Sequence, residues 1–256
     1  MLKIYLMFKS QYLKTAFEYT FNFWMMFVSG VLMRTFLLAV PYVLFRNMPT
    51  IAGWQEAEVY FIMALVFVSE GCSNLFYDGI WQLPSQVFHG EFDVMLARPI
   101  SPLYQVVARG FGLQGVGGIL VGFVSLGLSM HSLGWLTPVG IMLCLVLIIC
   151  GALLRMSSIL IAACFVFWAG PNSDMMFTAN TVGEYAMYPV DIYPAWLRVI
   201  LLTILPYGFI GFVPALILRS SNMLLFLGTL AFSVLFFLLA RGIFYLSIRR
   251  YESMGM

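Results

Sequence analysis

Charged residues are scarce in this chain: they make up 9% of its 256 positions, against about 25% in an ordinary soluble domain. That scarcity, with 62% hydrophobic residues and a mean hydropathy of +0.96, excludes water as the only solvent of the fold. The 13 basic and 11 acidic residues are scattered, and the formal charge is only +2. There is thus no basic stripe to follow a phosphate backbone, and nucleic acid is excluded as a partner. Two histidines, His89 and His131, stand over forty positions apart, too far for the spacing of a metal site. The four cysteines, Cys72, Cys144, Cys150 and Cys164, lie in apolar runs without paired spacing; they read as small buried hydrophobes. No glycine loop ending in Lys-Ser or Lys-Thr is present to cradle a nucleotide phosphate, so the chain is read as having no ATPase or other catalytic centre of its own.

What is abundant is apolar length. A membrane-crossing helix needs about 20 apolar residues, and the chain offers candidates over 21–45, 57–76, 103–130, 139–167 and 223–247, with a weaker, polar one over 170–189 that contains Asn180 and Glu184. The expectation is one all-α membrane domain over 1–256 with six crossings. The first twenty residues alternate apolar side chains with Lys3, Lys9 and Lys14 and lack a small-residue cleavage site. They read as a retained amphipathic helix lying in the headgroup boundary. Pro189, Pro194, Pro206 and Pro214 crowd residues 188–218, where no straight helix tolerates them, so re-entrant helices are expected between the last two crossings. Basic residues around 1–20, at Arg98 and Arg109, and at Arg241, Arg249 and Arg250 place both termini and the central polar segment in the cytoplasm.

Charges inside crossings are costly and mark candidate functional positions. Arg34 and Glu70 fall in the first and second crossings; they either pair with each other or leave Arg34 facing a polar pathway and an anionic substrate group. Asn180 and Glu184 are four apart, on one helix face, and are candidates to line the same pathway or a subunit interface. Residues 78–102 are too polar to cross and too apolar to float free. Within them Gly90, Glu91, Phe92, Asp93, Leu96 and Arg98 run into Pro99 and Pro102, which end a short helix and redirect the chain. A soluble partner could push on such a helix.

That run, Gly90-Glu91-Phe92-Asp93 followed by Leu96, Arg98, Pro99, Ser101, Pro102 and Leu103, resembles the cytoplasmic coupling segment of ATP-binding-cassette type 2 exporter permeases. The pattern from Tyr188 to Phe209 is similar to the outer-face region of the same bacterial six-span branch. The resemblance implies a coupling helix between the second and third crossings, contacted by a cytoplasmic ATPase dimer that carries ATP and magnesium. It also implies a second permease subunit, the same or a related chain, and a place in the bacterial plasma membrane. With the apolar, aromatic-rich crossings it points to a hydrophobic or amphipathic substrate such as a drug, a lipid-like molecule or a peptide. The alternatives are an ion-coupled secondary transporter using Glu70 and Glu184, and a non-transporting scaffold or immunity protein.

Overall fold

The computed structural model describes residues 5, 9, 10, 14, 18–170 and 174–251. The amphipathic helix expected over 1–20 lies largely outside the described residues. Among the described residues the chain is helical, its one β contact being an isolated bridge between Ile51 and Trp54. In chain order the helices are α1 (Thr20–Phe45), α2 (Glu56–Tyr77), three short helices α3 (Leu83–Phe88), α4 (Glu91–Ala97) and α5 (Pro102–Ala108), then α6 (Gln114–Ser132), α7 (Pro138–Cys164), the one-turn α8 (Val166–Ala169), α9 (Met175–Glu184), α10 (Ala195–Val199), α11 (Phe212–Ser220) and α12 (Met223–Ile248). Among the described residues five helical stretches are long and apolar enough to cross a bilayer: α1, α2 with its continuation to Phe88, α6, α7 with α8, and α12.

Local chemistry sets the helix starts. At α2 the Gln55 side chain and Glu58 form a capping box, with Gln55 N donating to Glu58 Oε2 at 2.9 Å, which satisfies two of the open amides of a first turn. Thr137 accepts from Gly140 N at 3.0 Å with Pro138 at the first helical position, and Asn222 accepts from Leu225 N at 3.1 Å to start α12.

Helix α2 is the central post. Phe61 to Ser69 are all buried, as expected only of a helix surrounded by others. Helix α1, by contrast, buries only Pro41 and shows Phe21, Met25, Leu32 and Phe36 outward, a face suited to lipid. Helix α6 fits between α1 and α2 because glycines bring backbone against backbone. A Cβ on Gly117 would sit 2.7 Å from Phe27 O and Val31 N, and one on Gly115 would sit 2.7 Å from Gly71 O.

Two expectations are corrected. The crossing expected to start at residue 103 starts instead at Gln114; α5 is a separate helix, and the chain turns through Gly110 at φ +107, a conformation that only glycine adopts without strain. There Gly79 meets the turn so closely that any Cβ on it would collide with the Arg109 and Val106 carbonyls. Gly110, Gly112 and Gly115 have the spacing of a dinucleotide-binding turn, but they join two helices with no strand before them. The second concerns the helix expected over residues 170–189: among the described residues no single helix there is long enough to cross, α9 having ten residues, about 15 Å against a hydrocarbon core of about 30 Å.

The chain nevertheless returns to the end of the molecule where α2 begins. Past α9 it continues through two 3₁₀ turns to Asp191, whose carboxylate accepts from Trp54 Nε1 at 3.2 Å. Residues 195–220 then form α10, a π-helical turn over Ile200–Ile204, a 3₁₀ turn and α11, the broken backbone that the four prolines demand. The described parts of both ends lie on the opposite face, beside the short helices. Tyr5 OH donates to Phe76 O at 2.9 Å, and the Tyr251 ring packs on Phe92 at 5.2 Å.

Candidate functional site

The charges in the helices converge. Glu70 lies 14 residues into α2, about 21 Å along it, level with Arg34 of α1 and Arg155 of α7. Arg34 Nη2 is 2.7 Å and Arg155 Nη2 3.6 Å from the same carboxylate oxygen. The Arg155 side chain is only 4% exposed; its Nη2 also donates to Asn180 Oδ1 at 2.7 Å, and its guanidinium lies over the Tyr207 ring at 5.2 Å. Arg34 lies over Phe67 at 4.9 Å. Gly183 of α9 leaves the room for Arg155, since a Cβ there would collide with the guanidinium. Four elements, α1, α2, α7 and α9, are tied by one carboxylate and two guanidiniums, an arrangement stable in an apolar medium only because the charges meet each other.

This knot forms one wall of a cavity of about 600 Å³ bounded by Ser29, Gly30 and Arg34 of α1, Glu70, Asn74 and the adjacent Asp78, Gln114 and Gly118 of α6, and Asn180. Its charges are not balanced at the knot, where two guanidiniums face one carboxylate. Asp78, two turns further along, has a partner charge in Lys9, whose ammonium is buried and donates to Leu75 O at 3.2 Å and Gly110 O at 2.5 Å. Burial pushes the Lys9 amine down to about 8, and the Asp78 charge opposes that shift.

Arg34, Glu70 and Asn180 are thus brought together, whereas Glu184 is exposed at the end of α9 and away from them. Arg155 is the site residue that sequence reasoning missed. It stands in a 27-residue apolar helix, and its only signal was the cost of a charge in the middle of that run.

The second candidate region is α4, at the end of the molecule where the described termini lie. Gly90 caps it at φ +71, and Glu91 and Asp93 occupy its first turn, where carboxylates favour the helix dipole. Phe92 and Met95 point inward and are fully buried, Phe92 between the rings of Phe167 and Tyr251 at 5.4 and 5.2 Å. Val94, Leu96, Arg98 and Pro99 face outward. Gln105 Nε2 donates to Met95 O at 2.8 Å and Ile100 O at 2.9 Å, Arg109 pairs with Glu91 at 2.9 Å, and Ser101 Oγ lies 3.2 Å from Tyr245 OH on α12. The short helix is therefore clamped to α5, α7–α8 and α12, with an exposed outer face. At the far end of the molecule Arg219 reaches Glu58 at 3.6 Å and Arg198 reaches Asp191 at 3.9 Å, so both arginines have acidic partners.

Membrane-length helices around a buried charge knot and a polar cavity define a polytopic membrane protein. A family profile described as "ABC-2 family transporter protein" matches residues 29–255, nearly the whole chain, and the chain belongs to that family of ABC transporter permeases. No curated protein matches it. Membership makes the chain the membrane component of an ABC system, a component that associates with an ABC ATPase and is not itself one.

Proposed function

We propose that the chain is the permease subunit of an ATP-driven exporter that moves a hydrophobic or amphipathic substrate across the bacterial plasma membrane. In this reading a cytoplasmic ATPase dimer, with its ATP and magnesium, docks on Gly90 to Pro102, and a second permease subunit, the same or a related chain, completes the pathway. Both termini face the cytoplasm, and the composite stretch from α9 to Asp191 serves as a sixth crossing. The observation that carries the reading is α4: its inner residue Phe92 is wedged against the ends of the helices that hold Arg155 and Tyr245, while Val94, Leu96 and Arg98 remain free for a partner. A push on α4 is delivered to α7, and through α7 to the charge knot. Glu70 is shared between two guanidiniums, which speaks for a structural latch and against the freely exchanging carboxylate of an ion-coupled carrier.

Affinity purification of the tagged chain from its host in mild detergent tests the reading. A stoichiometric ATPase is expected in the eluate, lost when Glu91 and Arg98 are both replaced by Ala. No ATPase under conditions that preserve other membrane complexes would refute it.

A further inference from the structure

Two spaces adjoin along the seam of α1 and α6. The polar cavity takes Ser29, Gly30 and Arg34 of α1 and reaches Gly118 of α6, while an apolar groove of about 550 Å³ takes the neighbouring face of α1 at Val31, Thr35 and Leu38 and follows on α6 from Val121 through Val124 to Leu128. At the knot one positive charge is in excess, because Arg34 and Arg155 share Glu70; the charged side chains on the cavity walls are Arg34, Glu70 and Asp78, the last with the Lys9 ammonium as its counter-charge. Arg155 is sealed at 4% exposure, but Arg34 stands at the cavity wall at 18% and spends one hydrogen bond on Glu70. Its other guanidinium donors, with the amides of Asn74 and Gln114 on the same walls, match an anionic head. The groove is bordered mostly by apolar surface, with Thr35, Tyr60, Ser125, Ser129 and Ser132 contributing hydroxyls, that of Tyr60 bonded to Leu38 O at 3.3 Å.

From this juxtaposition we infer that the seam binds a single-chain anionic amphiphile, its carboxylate or phosphate head on Arg34 and its chain along the groove between α1 and α6. The inference rests on the exporter reading and names the substrate class of that same pathway. A hydrophobic cation meets the guanidinium and is rejected; a neutral chain leaves Arg34 without a partner in the cavity.

The test uses the full chain with its co-purified ATPase in phosphatidylcholine nanodiscs, with retained adducts counted by native mass spectrometry after incubation with dodecyl phosphate. Dodecyltrimethylammonium serves as the cationic probe and inorganic phosphate as the head alone. Saturable dodecyl phosphate binding is expected, weakened about tenfold or more by Arg34→Gln through loss of charge-assisted bonds and largely kept by Arg34→Lys. Filling the exposed groove with Val124→Trp is expected to weaken dodecyl phosphate in the same way, in a variant whose charge knot is untouched. Equal binding of the cationic probe, full competition by inorganic phosphate, or indifference to both Arg34→Gln and Val124→Trp overturns the inference. ATPase co-purification in each variant is the control for folding. If it persists while amphiphile binding is absent, the substrate class is wrong and the exporter reading stands; if the wild-type chain never retains an ATPase, the exporter reading itself falls.

Discussion

Replacing Glu70 with Gln removes the single anion that two guanidiniums share. Arg34 can turn its charge towards the polar cavity, so its loss of partner is cushioned. Arg155 has no such exit: it is 4% exposed, boxed by Gly183 and the Tyr207 ring, and keeps only the neutral oxygen of Asn180. Stranding a buried charge in this way costs about 3–5 kcal/mol, which for a chain of this size lowers the unfolding midpoint on the order of 10 °C. Thermal unfolding of the purified chain in one detergent, monitored by tryptophan emission, measures it. The sharper part of the expectation is the pattern of rescue. Adding Arg155→Gln to Glu70→Gln should recover most of the loss, because it removes the stranded charge, whereas adding Arg34→Gln should recover little. A midpoint unchanged by Glu70→Gln, or equal rescue by the two arginine replacements, would show that the knot is not the buried, asymmetric element described above.

Gly183→Ala forces a methyl against the Arg155 guanidinium and is expected to cost about 1–3 kcal/mol, seen in the same melting assay and relieved when Arg155 is shortened to Gln. Phe92→Ala empties the space between Phe167 and Tyr251 and is expected to cost about 3–5 kcal/mol. Glu91→Gln breaks only an exposed pair with Arg109 and should stay within about 1 kcal/mol of wild type. Lys9 has a folded pKa of about 8 against an ordinary 10.5, so the unfolded chain binds more protons between these values. Stability should therefore rise with pH from about 8 to 10, and Lys9→Met should remove that part of the slope when the two melting series are subtracted.

Much of this was legible in the residues, for reasons that differ from helix to helix. The stretches 21–45, 57–76 and 223–247 fall within a residue or so of α1, α2 and α12, because a long apolar run with a single charge inside it and polar residues at its ends leaves the backbone no other way to satisfy its amides in lipid. The short helix at Glu91–Ala97 was announced by Gly90 at one end and Pro99 at the other. The break before Gln114 was not, since Gln105, Arg109 and Gln114 are too few to split residues 103–130 by composition, and only the approach of Gly79 to the turn at Gly110 shows why two helices replace one. The ten-residue α9 was hidden for the opposite reason: a weakly apolar stretch reads alike as a poor crossing or as a half-length helix whose polar side chains are needed elsewhere. Asn180 proved to be such a side chain, bonded to a residue 25 positions earlier on another helix. Pairing of Arg34 with Glu70 was open in the sequence as one of two options; which option holds is decided by the glycines that bring α1, α6 and α2 to backbone contact.

Those glycines also divide the molecule into a part that cannot yield and a part that can. Where main chain lies on main chain, no side-chain torsion is available to absorb sliding, so α1, α2 and α6 behave as a stator. Helix α7 meets it with rotamers to change, α9 and α12 pack on α7, and among the described residues the Glu70 carboxylate is the charged clasp between α7 and the stator. On the proposed reading, a stroke delivered at the surface helix would be spent on opening that clasp rather than on bending the stator, and the cavity beside it would widen on one side only.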